Sequence, residues 1–427
     1  PMLRSLVGSE MCIRDSCYAE PLVDIKKPGK SRLFFNNVGP EDISQIIDEY
    51  LVSDGYPKEK VFGYLGEEGP QDDEASLESM PGMRLQNRIA LRNAGHTSPY
   101  DINQYIANGG YSGLNKALSN MSPTDVIDEV KNSGLRGRGG AAFPTGVKWS
   151  FLAPNKAPTK YVLCNCEEGD PGAYNDKGIL ETDPHTLVEG LILNGYATNS
   201  NKSYVFIRQG HDIPINAIER AIKEAYDKGL LGDNILGSNF SFDMEVSLTG
   251  DSYVAGEETA LMEAIEGKRS TPRFKPPFPA AAGLWQKPTN INNVKTISYV
   301  PQIIKNGSDW FSSTGTEKSS GTAIVCLSGH ITRPGMYEIP MGMTIEEVLD
   351  EVGGGSNSDS DIKMLQTGGP LGGVLGKEAF GTKIDFDEMA KSGAILGSGG
   401  IIVCNETVSV VDLIRNLVAF NQFESCG

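Results

Sequence analysis

Between about Met83 and Ile304 the chain alternates two kinds of pattern, and this alternation limits its fold more than any other feature. Helical spacing of apolar residues at DVIDEVKN and INAIERAIKEAYDKG is interleaved with short apolar runs at YVLC, SYVFI and MEVSL. Strand-sized runs separated by amphipathic helices predict an α/β domain, placed here at residues 83–310. A second unit is expected at 320–400. It opens with a strand TAIVCLSG, turns at Arg333-Pro334-Gly335, and continues with a strand and then a helix TIEEVLDEVGG. Thr344 with Glu347 three residues on forms a capping box for that helix, and the order is β-grasp-like. Apolar residues return at helical spacing from Thr407 to Phe423, so residues 401–427 are expected to begin a helical segment that packs on something.

The N-terminal part reads differently. Residues 17–65 hold an apolar patch (Pro21-Leu22-Val23), a strand-like RLFF and an amphipathic helix after Pro40, which suggests the tail of a small α/β domain. Residues 66–82 are acidic and rich in turn formers, the composition of a linker. The first 16 residues, PMLRSLVGSEMCIRDS, have neither the apolar core of a signal peptide nor a helical period. They read as translated adapter sequence, which makes Cys12 accidental.

Length and charge narrow the function classes. A chain of 427 residues has room for about three domains. Its 38 basic against 55 acidic residues give a net charge of −17, which repels phosphate polymers and anionic membrane surfaces. Nucleic acid is therefore not an expected partner. No run approaches the ~18 apolar residues of a membrane span, so direct insertion is not expected and any membrane association would go through another subunit. The seven cysteines, at 12, 17, 164, 166, 326, 404 and 426, form no C-x-x-C pair and no secreted framework, which fits a reducing compartment. Fifty glycines, well above the roughly 7 per cent average, imply loops of unusual backbone.

Three stretches carry candidate chemistry. In GLRGRGGAAFPTGVKW (134–149), bare glycine backbone meets Arg136, Arg138 and Lys148 ahead of a helix, a combination suited to an anion. The loop follows a helix rather than a strand, which disfavours a conventional dinucleotide fingerprint; composition alone leaves a flexible surface loop open. In YVLCNCEEGDPGAYND, a buried-strand pattern ends at Asn165 and is followed by Glu167, Glu168 and Asp170. Ligands of open α/β sheets sit at such carboxyl ends, and carboxylates there accept hydrogen bonds from sugar hydroxyls, although a solvated acidic turn reads equally well. Cys164 and Cys166 fit strand packing better than metal ligation, since no other Cys or His pair completes a set. In DSYVAGEETALMEAIEG, Gly256-Glu257-Glu258-Thr259 opens a helix, where acidic residues also simply suit the helix dipole. Downstream, Arg273, Lys275 and Phe278 lie on a proline-stiffened strip, an aromatic plate beside a cation, and Asn292 and Asn293 offer paired amides.

Taken together, these motifs resemble the NADH-binding flavoprotein subunit of respiratory complex I and its relatives, the diaphorase subunits of NAD-linked hydrogenases and formate dehydrogenases. The resemblance covers roughly Arg84 to Gly427. It departs from the family at Ala142, where the usual GGAGF reads Gly139-Gly140-Ala141-Ala142-Phe143, and at Ala255 in place of the cysteine of YICGEET. The loop Glu168-Gly169-Asp170-Pro171-Gly172 looks more like the hydrogenase and formate dehydrogenase branch.

Carried over by residue, the resemblance implies an FMN site at Gly137, Arg138, Gly139, Lys148, Asn165, Glu167, Glu168, Gly256, Glu257, Asn292 and Asn293. It implies NADH contacts at Phe143, Phe151, Asp170, Tyr253, Glu258, Lys275 and Phe278. The region after Gly321 resembles the ubiquitin-like soluble-ligand-binding (SLBB) domain of this family. Glu424-Ser425-Cys426-Gly427 resembles the start of the family's ESCGxCxxCR, so Cys426 stands as the first ligand of a [4Fe-4S] cluster whose other ligands are missing. Cys17 resembles the last ligand of a thioredoxin-like [2Fe-2S] domain, and the chain is expected to be cut short at both ends. The implied reaction is direct hydride transfer from NADH to FMN, with no side-chain nucleophile or general base, and onward electron transfer to iron–sulfur subunits of a larger complex. The implied location is the cytoplasm or an organelle matrix, soluble or peripheral through partners. Two rivals remain: a flavoprotein subunit of a membrane ion-pumping complex, and a non-catalytic binding protein built on the SLBB domain.

Overall fold

The computed structural model describes residues 14–53, 55–66 and 75–426. Most of the expected adapter segment (1–13) and the centre of the expected linker (67–74) lie outside the described residues. The N-terminal part is an antiparallel three-stranded sheet of β1 (Val23–Lys26), β2 (Arg32–Phe35) and β3 (Val61–Leu65). Leu33, Phe35, Ile46 and Tyr50 pack into a small core of its own.

The central domain is a four-stranded parallel sheet: β4 (Tyr161–Cys166), β5 (Lys202–Arg208), β6 (Asp243–Thr249) and β7 (Thr289–Asn293), in spatial order β6-β5-β4-β7. The chain first winds from β4 out to β6, then returns to place β7 on the other side of β4. The order reverses between β4 and β7, and in open parallel sheets the crevice at that switch point, outside the carboxyl ends of the strands, is where ligands bind. One face of the sheet buries Val162, Cys164, Cys166, Val205 and Ile207 against the helices Pro184–Thr198 and Val294–Asn306. The other buries Leu163, Phe206 and Ile291 against Ala255, Leu261 and Leu284. With both faces covered, β4 and β5 read in sequence as apolar runs rather than as alternations.

The second domain is a five-stranded mixed sheet of β8 (Thr322–Gly329), β9 (Gly335–Pro340), β10 (Ile362–Thr367), β11 (Val374–Gly376) and β12 (Gly400–Asn405), ordered β11-β10-β12-β8-β9. The capping box at Thr344 and Glu347 is formed, and Ile345, Val348 and Leu349 bury into the core of this domain. Its final strand β12 runs to Asn405, past the boundary expected at residue 400, because it fills the centre of the sheet parallel to β8.

The two domains are stitched by buried polar groups. Glu338 on β9 accepts hydrogen bonds from the Ala90 and Leu91 amides (3.1 and 2.8 Å) and from Thr322 Oγ1 (2.5 Å). Asn175 Nδ2 donates to the Ile324 and Ser398 carbonyls at 3.1 and 2.8 Å. A carboxylate with this many donors is held in place, and losing one partner would leave a buried group unsatisfied at about 1–3 kcal/mol. The chain continues into a helix, Val410–Glu424, that touches the central domain through Phe420 on Tyr253, their ring centroids 5.3 Å apart.

Candidate functional site

A cavity of about 480 Å3 opens at the switch point. The last paired residues of the two strands, Asn165 on β4 and Asn293 on β7, lie side by side in register and both line it. Asn293 Nδ2 donates to Asp176 Oδ2 (2.5 Å) and reaches the Asn165 carbonyl (3.4 Å), while its Oδ1 caps the following helix by accepting from the Lys295 amide at 3.0 Å. Asn165 Nδ2 donates to the Gly256 carbonyl at 2.8 Å, which ties the β4 end to the start of the Glu258–Ile265 helix.

Bare backbone forms part of the wall. A Cβ on Gly139 would lie 2.6 Å from Asn293 Cβ, and one on Gly256 would lie 2.9 Å from Glu167 Oε2, so a side chain at either position would force the wall apart. Gly137 closes the glycine loop by donating its amide to the Phe143 carbonyl at 2.8 Å.

The acidic residues divide by partner. Glu167 is buried; it pairs with Arg208 and accepts the Gly169 amide at 2.9 Å, and burial still leaves its pKa above the usual value. Glu168 stands in the left-handed region (φ 45°) and accepts the Asp176 and Lys177 amides at 2.6 and 2.9 Å, which caps the Asn175–Thr182 helix. Burial, with the neighbouring Asp176 charge, pushes its pKa up to about 7. Beneath it, Lys295 pairs with Asp176 at 3.0 Å in a fully buried contact. Glu257 caps its own helix through the Thr259 and Ala260 amides and meets Lys275 at 3.2 Å. Asp170 accepts from the Tyr253 hydroxyl at 2.7 Å.

A charged cluster stands beside Glu257. Glu258 lies between Lys275 Nζ at 2.7 Å and Lys148 Nζ at 3.5 Å. Burial holds the Lys148 pKa below its usual value, against the pull of Glu258. Phe143 and Phe151, 46% and 55% exposed, face each other at 6.2 Å between centroids, and Phe278 is 62% exposed. Large aromatic surface left open to solvent is unusual in a core-forming residue type and suits a flat partner.

Two expected residues face elsewhere. Adjacent residues on a strand point to opposite faces, so Asn292 and Asn293 cannot share one cavity. Asn292 lies on the other side of β7, buried, with Oδ1 accepting from Trp149 Nε1 (3.1 Å) and Asn194 Nδ2 (3.3 Å). The Arg138 guanidinium leaves the glycine loop for the second domain, donating to the Ser320 and Thr322 carbonyls at 2.7 and 3.1 Å and lying over the Phe386 ring. Cys426 is exposed and lines the cavity, whereas Cys17 is half-buried near Tyr337.

The residues 130–302 match the Nuo51 FMN-binding domain and 324–375 match the SLBB domain. The chain is 46% identical over 344 residues to NADP-reducing hydrogenase subunit HndC of Solidesulfovibrio fructosivorans, covering 81% of this chain and 70% of that one. It belongs to the Nuo51 FMN-binding flavoprotein family. Within that family it is also 42% identical over 339 residues to an NADH-quinone oxidoreductase subunit of Rhizobium meliloti (strain 1021), covering 79% of this chain and 80% of the relative. The crystal structure of an air-oxidised NAD+-reducing [NiFe]-hydrogenase shares the fold with a TM-score of 0.67 at 26% identity, covering 93% of this chain and 63% of that one.

The sequence assigns no site role to several residues of the wall: Gly169, Asp176, Val254, Ser398, Asn421, Glu424 and Ser425. Asp176 was within reach of sequence reading, since it sits in the same connection as Glu167 and Asp170. Ser398 carried no such signal, because it reaches the cavity only through the docking of the second domain.

Proposed function

We propose that this chain is the NADH-oxidising, FMN-carrying module of a multi-subunit redox complex. One observation supports this most: a cavity at the switch point whose wall is glycine backbone at Gly139 and Gly256, amide at Asn165 and Asn293, and carboxylate at Glu167 and Asp176. Its size lies within the roughly 300–1,000 Å3 of small-molecule sites. Bare backbone admits a flat ring closely, and amides and carboxylates together accept from and donate to a polyhydroxyl chain. Those residues fit FMN. When bound, FMN supplies an acceptor for hydride and a donor of single electrons.

In this reading Gly137, Gly139, Asn165, Glu167, Gly256, Glu257 and Asn293 hold the flavin. Arg138 and Asn292 act from behind, fixing the glycine loop and β7, while Glu168 lines the cavity and caps the Asn175–Thr182 helix. Phe143, Phe151 and Phe278 stack on the nucleotide, Asp170 and Tyr253 border its path, and Glu258 with Lys148 and Lys275 receives its adenosine ribose. The protein's work is to hold two rings in register, which needs no side-chain nucleophile. Cys426, at the cavity, is the position from which a [4Fe-4S] cluster would be held, and Cys17 would belong to a [2Fe-2S] domain. Iron–sulfur subunits are the proposed partners, in a complex of the cytoplasm or an organelle matrix; no helix among the described residues is long and apolar enough to cross a membrane. Asp170 and the likeness to the hydrogenase relative favour a hydrogenase-type complex. The test is flavin analysis of reconstituted chain by chromatography after denaturation: one FMN per chain is expected, and recovery of FAD, or of no flavin, would overturn the proposal.

A further inference from the structure

Ser398 lies in the loop before β12, between Gly397 (φ 57°) and Gly399 (φ 91°). A Cβ on Gly397 would clash with Gly368, and one on Gly399 with the Ile324 carbonyl, so the loop has little freedom to move. The Ser398 carbonyl is fixed from the other domain by Asn175 Nδ2 at 2.8 Å. The residue is only 8% exposed, and its hydroxyl is buried with no hydrogen-bond partner among the described residues. It nevertheless lines the same cavity as Gly139, Asn165, Asp176 and Asn293. A buried hydroxyl without a partner is costly, and a rigid loop cannot turn it toward water. Rotation of the Ser398 side chain toward the cavity it borders would bring the hydroxyl to a partner there.

We propose that the Ser398 hydroxyl is a direct flavin contact supplied by the second domain. That domain is then one wall of the flavin site rather than an appended binding module. Three docking contacts place the wall: Asn175 on the Ser398 carbonyl, the Tyr174 hydroxyl donating to the Leu327 carbonyl at 3.1 Å, and the Tyr174 amide on Cys326 Sγ at 3.4 Å. Flavin affinity therefore reports on how the two domains sit together.

The inference rests on the FMN reading, and one experiment separates their failures. Full chain is stripped of flavin, and FMN binding to wild type and Ser398→Ala is followed by quenching of flavin fluorescence, with the melting temperature of each flavin-free protein measured alongside. Loss of one hydrogen bond should raise the FMN dissociation constant about five- to tenfold while leaving the flavin-free melting temperature unchanged. If wild type binds no FMN, the functional reading fails and this inference with it. If wild type binds and Ser398→Ala binds equally well, the hydroxyl is satisfied by water and the inference alone is overturned. A fall in flavin-free melting temperature with no specific loss of FMN affinity would likewise make Ser398 a structural residue and overturn it.

Discussion

At the scale of single residues, the proposed preference for NADH rests on charge placement. Glu258 accepts from two lysines, so its carboxylate both fills the space for a ribose partner and neutralises Lys148 and Lys275. A 2′-phosphate would meet the carboxylate first, and repulsion at a partly desolvated site disfavours NADPH. Wild type is expected to favour NADH in steady-state reduction of ferricyanide. Glu258→Gln removes the carboxylate partner of Lys148 and leaves Lys275 with Glu257 alone, and should shift the ratio of kcat/KM values toward NADPH by about tenfold or more, 1.4 kcal/mol per decade. Equal use of both nucleotides by wild type, or an unchanged ratio in the variant, would remove Glu258 from this role. Much of this residue set was legible in sequence because the motifs are contiguous. Ala142 was legible only as a departure: it stands where the family carries glycine and adopts φ 52°, a left-handed conformation that costs a residue with a Cβ about 1 kcal/mol. Lys148, Lys275 and Glu258 lie on three separate stretches, so the sequence showed their presence and the fold showed that they meet.

At the scale of elements, the parity of β7 separates support from contact. Thr289–Asn293 is a buried strand of mostly polar residues, and Asn290 and Asn292 join Asn194 and Trp149 in a network behind the sheet. Asn292→Ala would leave the Trp149 and Asn194 donors without their acceptor and should destabilise the fold by about 1–3 kcal/mol. Asn293→Ala should instead weaken FMN binding, since that side chain lines the cavity. Urea denaturation of the flavin-free proteins beside FMN titration checks the pair; a larger loss of FMN affinity in Asn292→Ala than in Asn293→Ala would contradict the assignment. Sequence reading paired these two asparagines because they are adjacent, whereas a strand sends neighbours to opposite faces. Elsewhere in the central domain, β4, β5, β6 and the helices Pro123–Asn132 and Asp212–Asp227 were plain from sequence pattern, whereas the polar β7 and the helices Pro184–Thr198 and Val294–Asn306 were not. The boundary at residue 400 was not, because β12 pairs in parallel with β8, some 75 residues earlier in the chain, and no local pattern announces such a partner.

At the scale of the whole molecule, the chain brings a glycine loop, two strand ends, a helix start and a second domain to one crevice. The Arg138 guanidinium ties the glycine loop to the second domain, and Asn175 ties the β4 connection to it, so the crevice is set by domain docking as much as by the central sheet. The likeness to relatives from both a hydrogenase and a quinone oxidoreductase fits a common electron-entry module. The central claim is that this crevice brings NADH to a bound flavin. Anaerobic titration of FMN-reconstituted chain with NADH, followed at the flavin absorbance near 450 nm, tests it most directly. The flavin band should bleach with an end point at about one NADH per FMN, whereas an unbleached flavin under excess NADH would contradict the account.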